Sequence, residues 1–248
     1  MTAHELSGRS LMTFFAHPDD ESLAAGGLIA SCAAAGSTVT LVVATRGEAG
    51  PGREGAKLAA VRTREMEAAA RVLGASELVW LDYPDGLLPS ADAGQLEGDI
   101  ARTVAARRPE QLVTFDRDGL YWHPDHVALH ERVTAAIEEL GDDAPGLWYV
   151  TMPHGAMRAV ADHAAARGRS RAPILGVDDP DAFGAEAPAA TITLDVRRHA
   201  ARKLAALACH ATQFHGSALA AIAPAEAVSL LGREQYRCAH AVRSQACT

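Results

Sequence analysis

A chain of 248 residues, 48% hydrophobic and 22% charged, is long enough to bury a sizeable core and has the make-up of a soluble globular protein. A formal charge of −8 with scattered arginines argues against nucleic acid or an anionic membrane as a partner. Four cysteines without C-x-x-C spacing (Cys32, Cys209, Cys238, Cys247), no secretory leader and no apolar run of about 18 residues leave a cytoplasmic protein as the expectation.

The first apolar run, Leu11 to Phe15, reads as a strand, and the apolar, glycine-bearing stretch Ser22 to Ala35 as the helix after it. Thr38 to Ala44 is a β-branched run suited to a buried parallel strand. It opens into the irregular loop Thr45-Arg46-Gly47-Glu48-Ala49-Gly50-Pro51-Gly52. Lys57 to Leu73 sets Val61, Met66, Ala69 and Leu73 near one face of a helix, with Gly74 as its stop. Glu77 to Leu81 is a third strand, closed by Asp82-Tyr83-Pro84-Asp85-Gly86. A helix over Gly94 to Ala106 leads to a fourth strand, Gln111 to Phe115.

Strict alternation of strand and helix predicts an α/β fold, a Rossmann-like, mostly parallel sheet with helices on both faces. A helix over Pro124 to Leu140 and a strand over Leu147 to Met152 follow. Residues 167–188, rich in Gly, Pro and Asp, read as a long loop or flap. A strand over Ala190 to Leu194 and a helix over Val196 to Thr212 come next, and the alanine-rich last thirty residues read as helical in part. No repeat or linker divides residues 1–248, so one domain is expected.

Chemistry concentrates just beyond the strands. His17-Pro18-Asp19-Asp20-Glu21 follows the first strand, and His123-Pro124-Asp125-His126 follows the fourth. His17, Arg46, Asp85, His123 and His154 all fall at the same end of the sheet, where open α/β sheets bind ligands. Carboxylates at a helix start also serve as caps, which accounts for Asp-Asp-Glu on its own. The second cluster changes that, because two His-Pro-Asp trios at equivalent places converge on one site. Imidazole with carboxylate suits a divalent metal held by three ligands, with one carboxylate spare for proton transfer. His17, Asp20 and His126 are candidates for the three, and His126 with His130 is a competing pair at helical spacing. Trp122 reads as a packing residue or pocket wall. No G-x-G-x-x-G follows the first strand, which argues against a dinucleotide enzyme.

With these two motifs the chain resembles the LmbE-like (PIG-L) metal-dependent N-deacetylases. That family includes deacetylases of N-acetylglucosaminyl-inositol and N-acetylglucosaminyl-malate. The resemblance extends from Leu11 to Gln213, through Thr45-Arg46-Gly47-Glu48, Arg62-Thr63-Arg64-Glu65-Met66, Pro84-Asp85-Gly86, Lys203 and His210-Ala211-Thr212-Gln213. Thr212 departs mildly from the serine the family often has there.

The resemblance implies His17, Asp20 and His126 as metal ligands, with zinc as the cofactor and ferrous iron the alternative. It implies Asp19 as the general base, His123 as an imidazolium facing the oxyanion, Asp125 as a group orienting a histidine, and Tyr121 as an aid to the oxyanion. Arg62, Asp85, Arg46 and Glu48 are expected at the sugar. The implied reaction is hydrolysis of the acetamide of an N-acetylglucosamine-type conjugate, a small-molecule partner. The alternatives are an amidase acting on a thiol-sugar conjugate and a sugar-binding protein without turnover. The sequence is silent on a homo-oligomer.

Overall fold

The computed structural model describes residues 10–50 and 55–240; Pro51, Gly52 and Cys247 lie outside them. In chain order the main elements are β1 (Ser10–Phe15), α1 (Asp20–Ala34), β2 (Thr38–Thr45), α2 (Gly55–Leu73), β3 (Glu77–Tyr83), α3 (Ala93–Arg107) and β4 (Gln111–Phe115). There follow α4 (Pro124–Glu139), β5 (Gly146–Thr151), α5 (Ala156–Ala165), β6 (Ile192–Asp195), α6 (Ala200–Cys209) and β7 (Arg233–His240).

The seven strands form one sheet in the order β3-β2-β1-β4-β5-β7-β6. The first five in that order are parallel. The strands at its centre are buried on both faces, which is why they read as unbroken apolar runs rather than alternating ones. β6 alternates buried and exposed residues, as an antiparallel edge does.

Among the described residues of the last thirty, helical character is confined to the turns Ala218–Ala221 and Ala227–Leu231; residues 241–248 lie outside the described ones. β7 instead inserts between β5 and β6, antiparallel to both. Charged residues hide its alternation, because Glu234 and Tyr236 are the buried positions. The helix expected over Val196 to Thr212 is also divided, into α6 and a turn over Ala211–Phe214. The break falls at His210 (φ −80, ψ 56), which leaves the helix to reach Glu21.

From β1 the chain steps outwards through α1, β2 and α2 to β3, then crosses back through α3 to β4 and on to β5. Right-handed crossovers in opposite directions put helices on opposite faces. Accordingly α1, α2 and α6 pack together, and α3 packs on α4. β1 and β4 are direct neighbours, with Leu11 beside Gln111 and Thr13 beside Val113, yet the chain leaves them in opposite directions. A crevice opens at such a switch point. Both His-Pro-Asp clusters stand at its mouth. Among the described residues, no helix is long and apolar enough to cross a membrane.

Candidate metal centre

The turn after β1 folds Asp20 back on His17, whose backbone N–H donates to Asp20 Oδ2 at 2.8 Å. α4 brings His126 to the same place. His17 Nδ1 and His126 Nε2 are 3.1 Å apart, and Asp20 Oδ2 lies 3.4 Å from the first and 3.3 Å from the second. Ligands of a tetrahedral zinc at about 2.0–2.1 Å stand about 3.3 Å apart, so this triangle has the size of a metal's coordination face. All three residues are buried.

Each imidazole is held by its far nitrogen. His126 Nδ1 is 3.0 Å from the Gly119 carbonyl, which only accepts, so that nitrogen carries the proton and Nε2 is a bare lone pair. Gly119 has φ 52, and a Cβ on it would lie 2.8 Å from the His126 Cβ, so only glycine fits this approach. His17 Nε2 lies 3.0 Å from Asp85 Oδ1 and 3.2 Å from Asp125 Oδ2. Asp125 also accepts the N–H groups of Gly86 at 2.8 Å and Leu88 at 3.2 Å. Asp125 therefore orients His17.

Burial opposes protonation of His17, but Asp125, Asp20 and Asp85 outweigh it and hold its pKa well above the ordinary value. Burial likewise favours neutral Asp20, and His126 and His17 overcome this to keep it ionised. The donor set fits a divalent metal. His17, His123 and His126 also lie close enough to share an ion, as do His17, Asp85 and Asp125. The latter grouping needs the His17 nitrogen that already donates to two carboxylates.

Asp19 stands beside this triangle and outside it. Arg62 donates to Asp19 Oδ2 at 3.1 Å, to the Pro18 carbonyl at 2.6 Å and to the Gly47 carbonyl at 3.0 Å. Arg62 occupies the buried stripe of α2 with Leu58 and Met66, and a Cβ on Gly47 would come 2.5 Å from its guanidinium. Burial is the main cause that pushes the Asp19 pKa up, to about 7, against the pull of Arg62.

His123 caps α4: its Nδ1 accepts the Asp125 N–H at 3.2 Å. The neutral ring therefore carries its proton on Nε2. Burial, with His126 and His17 close by, pushes its pKa down to about 4. The imidazolium expected here is disfavoured; the ring is a neutral N–H donor. Tyr121 lines the same cavity, with its ring 4.7 Å from Phe183 and 5.3 Å from His126. Trp122 does not line the cavity; it is 52% exposed with φ 62.

Four residues were expected at the sugar. Arg62 and Asp85 line the cavity, though both are largely committed to protein partners. Arg46 and Glu48 stand behind it: Arg46 pairs with Asp82 at 2.7 Å and lies over Trp80, while Glu48 accepts the Asp85 N–H at 2.9 Å. His130 is tied to the Phe115 carbonyl at 2.9 Å, facing Tyr149 rather than the triangle. The Thr212 hydroxyl donates to Glu65, a role a serine hydroxyl fills equally. Sequence reasoning missed Ile174 to Val177 and Phe183, apolar residues of the flap that close one side of the cavity. Flap residues without periodicity give no signal of where they fold.

The cavity holds about 360 Å³. A larger one of about 590 Å³ lies next to it, sharing Leu23 in its wall. That one is mostly apolar, and its buried charges, Lys203 and Glu234, neutralise each other at 2.6 Å. The reactive groups belong to the smaller cavity.

A 1D-myo-inositol 2-acetamido-2-deoxy-alpha-D-glucopyranoside deacetylase of Acidothermus cellulolyticus is 31% identical over 233 residues, covering 83% of this chain and 80% of that protein. N,N'-diacetylchitobiose deacetylase from Pyrococcus horikoshii has a similar fold, with a TM-score of 0.64 at 21% identity over 93% of this chain and 83% of that one. GalB, the 4-carboxy-2-hydroxymuconate hydratase of Pseudomonas putida, superposes equally well, with a TM-score of 0.64 at 20% identity over 93% and 96%. One fold thus carries unlike reactions, and the site has to decide between them. Residues 12–137 match the PIG-L family, described as GlcNAc-PI de-N-acetylase, and the chain belongs to that family.

Proposed function

We propose that this protein is a metal-dependent hydrolase that removes the acetyl group from an N-acetylglucosamine-type sugar conjugate. The observation that carries it is the buried triangle of His17 Nδ1, Asp20 Oδ2 and His126 Nε2 with a further carboxylate, Asp19, at its side, one oxygen of which is held by Arg62. A passive binding site has no use for that extra base. The names of the sequence relatives, which act on a 2-acetamido-2-deoxyglucopyranoside, support the choice of substrate.

Zinc, or ferrous iron in its place, would be held by His17, Asp20 and His126, and when bound supplies Lewis acidity and acidifies a water. Asp19 takes the proton of the attacking water. Its pKa near 7 suits a base working at neutral pH, and Arg62 on Oδ2 leaves Oδ1 for that proton. His123 donates its Nε2–H to the oxyanion of the tetrahedral intermediate, with the Tyr121 hydroxyl as a second donor. The proton on Asp19 then passes to the leaving amine, and acetate departs.

The test is release of primary amine from a panel of N-acetylated sugars, with and without a chelator. Amine release that chelator abolishes and added metal restores is expected. Cleavage of other amides with N-acetylglucosamine compounds untouched would favour the amidase reading, and binding without turnover the sugar-binding one.

A further inference from the structure

We infer that Glu21 and His210 are a positioning pair that holds the Asp19 backbone in the strained conformation that turns its carboxylate into the cavity. Asp19 is the N-cap residue of α1, yet its side chain makes no cap bond. An aspartate at this place ordinarily folds its carboxylate over the free amides of the first turn. Here φ is 114, a left-handed value that strains a non-glycine residue and persists only where neighbours enforce it.

Glu21 is the enforcing neighbour. Its Oε2 accepts the Asp19 N–H at 3.0 Å, and its Oε1 meets His210 Nε2 at 2.8 Å and the Ser22 hydroxyl. Glu21 and His210 are fully buried, and neither lines the cavity. Satisfying one backbone N–H does not require two buried ionisable groups, whose desolvation is costly. His210 in turn leaves the helical path at the end of α6 to make the contact. The pair fastens the last third of the chain to the residue that carries the base.

The inference assigns Glu21 and His210 no contact with substrate, and in its kinetic part it rests on Asp19 being the base of the reaction proposed above. Metal content, kcat and KM are measured for Glu21→Ala, Glu21→Gln, His210→Gln and the parent. Exchange of the Asp19 amide hydrogen is followed by NMR on the metal-free proteins. Displacing a catalytic group by about 1 Å costs on the order of 10²-fold, so Glu21→Ala should lose about that factor in kcat with KM and metal content unchanged. Glu21→Gln, which keeps an oxygen for the Asp19 N–H, should recover most of the loss, and His210→Gln should show a smaller one. The Asp19 amide should exchange faster in Glu21→Ala and His210→Gln than in the parent.

A simple helix cap would lower the melting temperature and leave kcat of the folded, metallated protein unchanged; that result overturns the inference. Should Glu21→Ala not fold, an unchanged kcat and an unchanged Asp19 exchange rate in His210→Gln overturn it. If the parent releases no amine from any N-acetylated sugar, the deacetylase reading fails. The exchange rates then decide the positioning role alone.

Discussion

His17 Nδ1 and His126 Nε2 face each other at 3.1 Å, and each ring is gripped from behind through its other nitrogen. The backing groups differ: a backbone carbonyl for His126, and two carboxylates for His17. The carboxylates raise the basicity of the His17 ring.

His17→Ala, Asp20→Ala and His126→Ala should each empty the site, while His130→Ala should keep its metal, because His130 is spent on the Phe115 carbonyl. Removing Asp125, which backs His17 from behind and also holds the Gly86 and Leu88 amides, should weaken metal affinity by about 10–100-fold without abolishing binding. Metal analysis of the purified proteins and a competition titration for Asp125→Ala check this. A full site in Asp20→Ala would refute the ligand set.

Asp19→Asn should retain metal and fold while kcat falls by about 10²–10⁴-fold, the usual worth of a general base. Turnover and metal content must be read on the same preparation. A fully metallated Asp19→Asn protein with parental kcat removes Asp19 from the mechanism.

The neutral state of His123 predicts a specific rescue. His123→Ala should lower kcat by about 10²–10³-fold, as loss of an oxyanion donor does. His123→Gln supplies an uncharged N–H and should restore a large part of it. If Gln is no better than Ala, a cationic ring is required after all.

Away from the site, Glu234 accepts the N–H groups of Gly27 and Leu28, at 2.8 and 2.9 Å, the Tyr236 hydroxyl at 2.8 Å and Lys203 Nζ at 2.6 Å. Glu234→Ala strands a buried lysine and should cost about 3–5 kcal/mol. Denaturant unfolding with an unchanged m-value measures it.

Trp122 is half exposed at φ 62, a left-handed value that strains a bulky residue. Trp122→Gly should leave stability unchanged or raise it by about 1 kcal/mol, contrary to the usual effect of deleting a tryptophan. A clear fall in melting temperature would show that the side chain packs.

Hydrophobic periodicity determined most of the architecture, because unbroken apolar runs such as Thr38 to Ala44 have no stable place except a sheet covered on both faces. The two His-Pro-Asp clusters likewise announced a site, since proline and paired carboxylates after a strand are local features. What tertiary structure alone supplied was the partner that meets each histidine nitrogen and each carboxylate oxygen. Asp19, Asp20, Glu21, Asp85 and Asp125 are chemically alike, and only the neighbours that folding brings to each separate their roles: Arg62, His126, His210, Ala49 and Gly86. β7 was hidden for the same reason. Its buried Glu234 looks like a surface residue until Lys203, thirty-one positions away in sequence, arrives to neutralise it in the core.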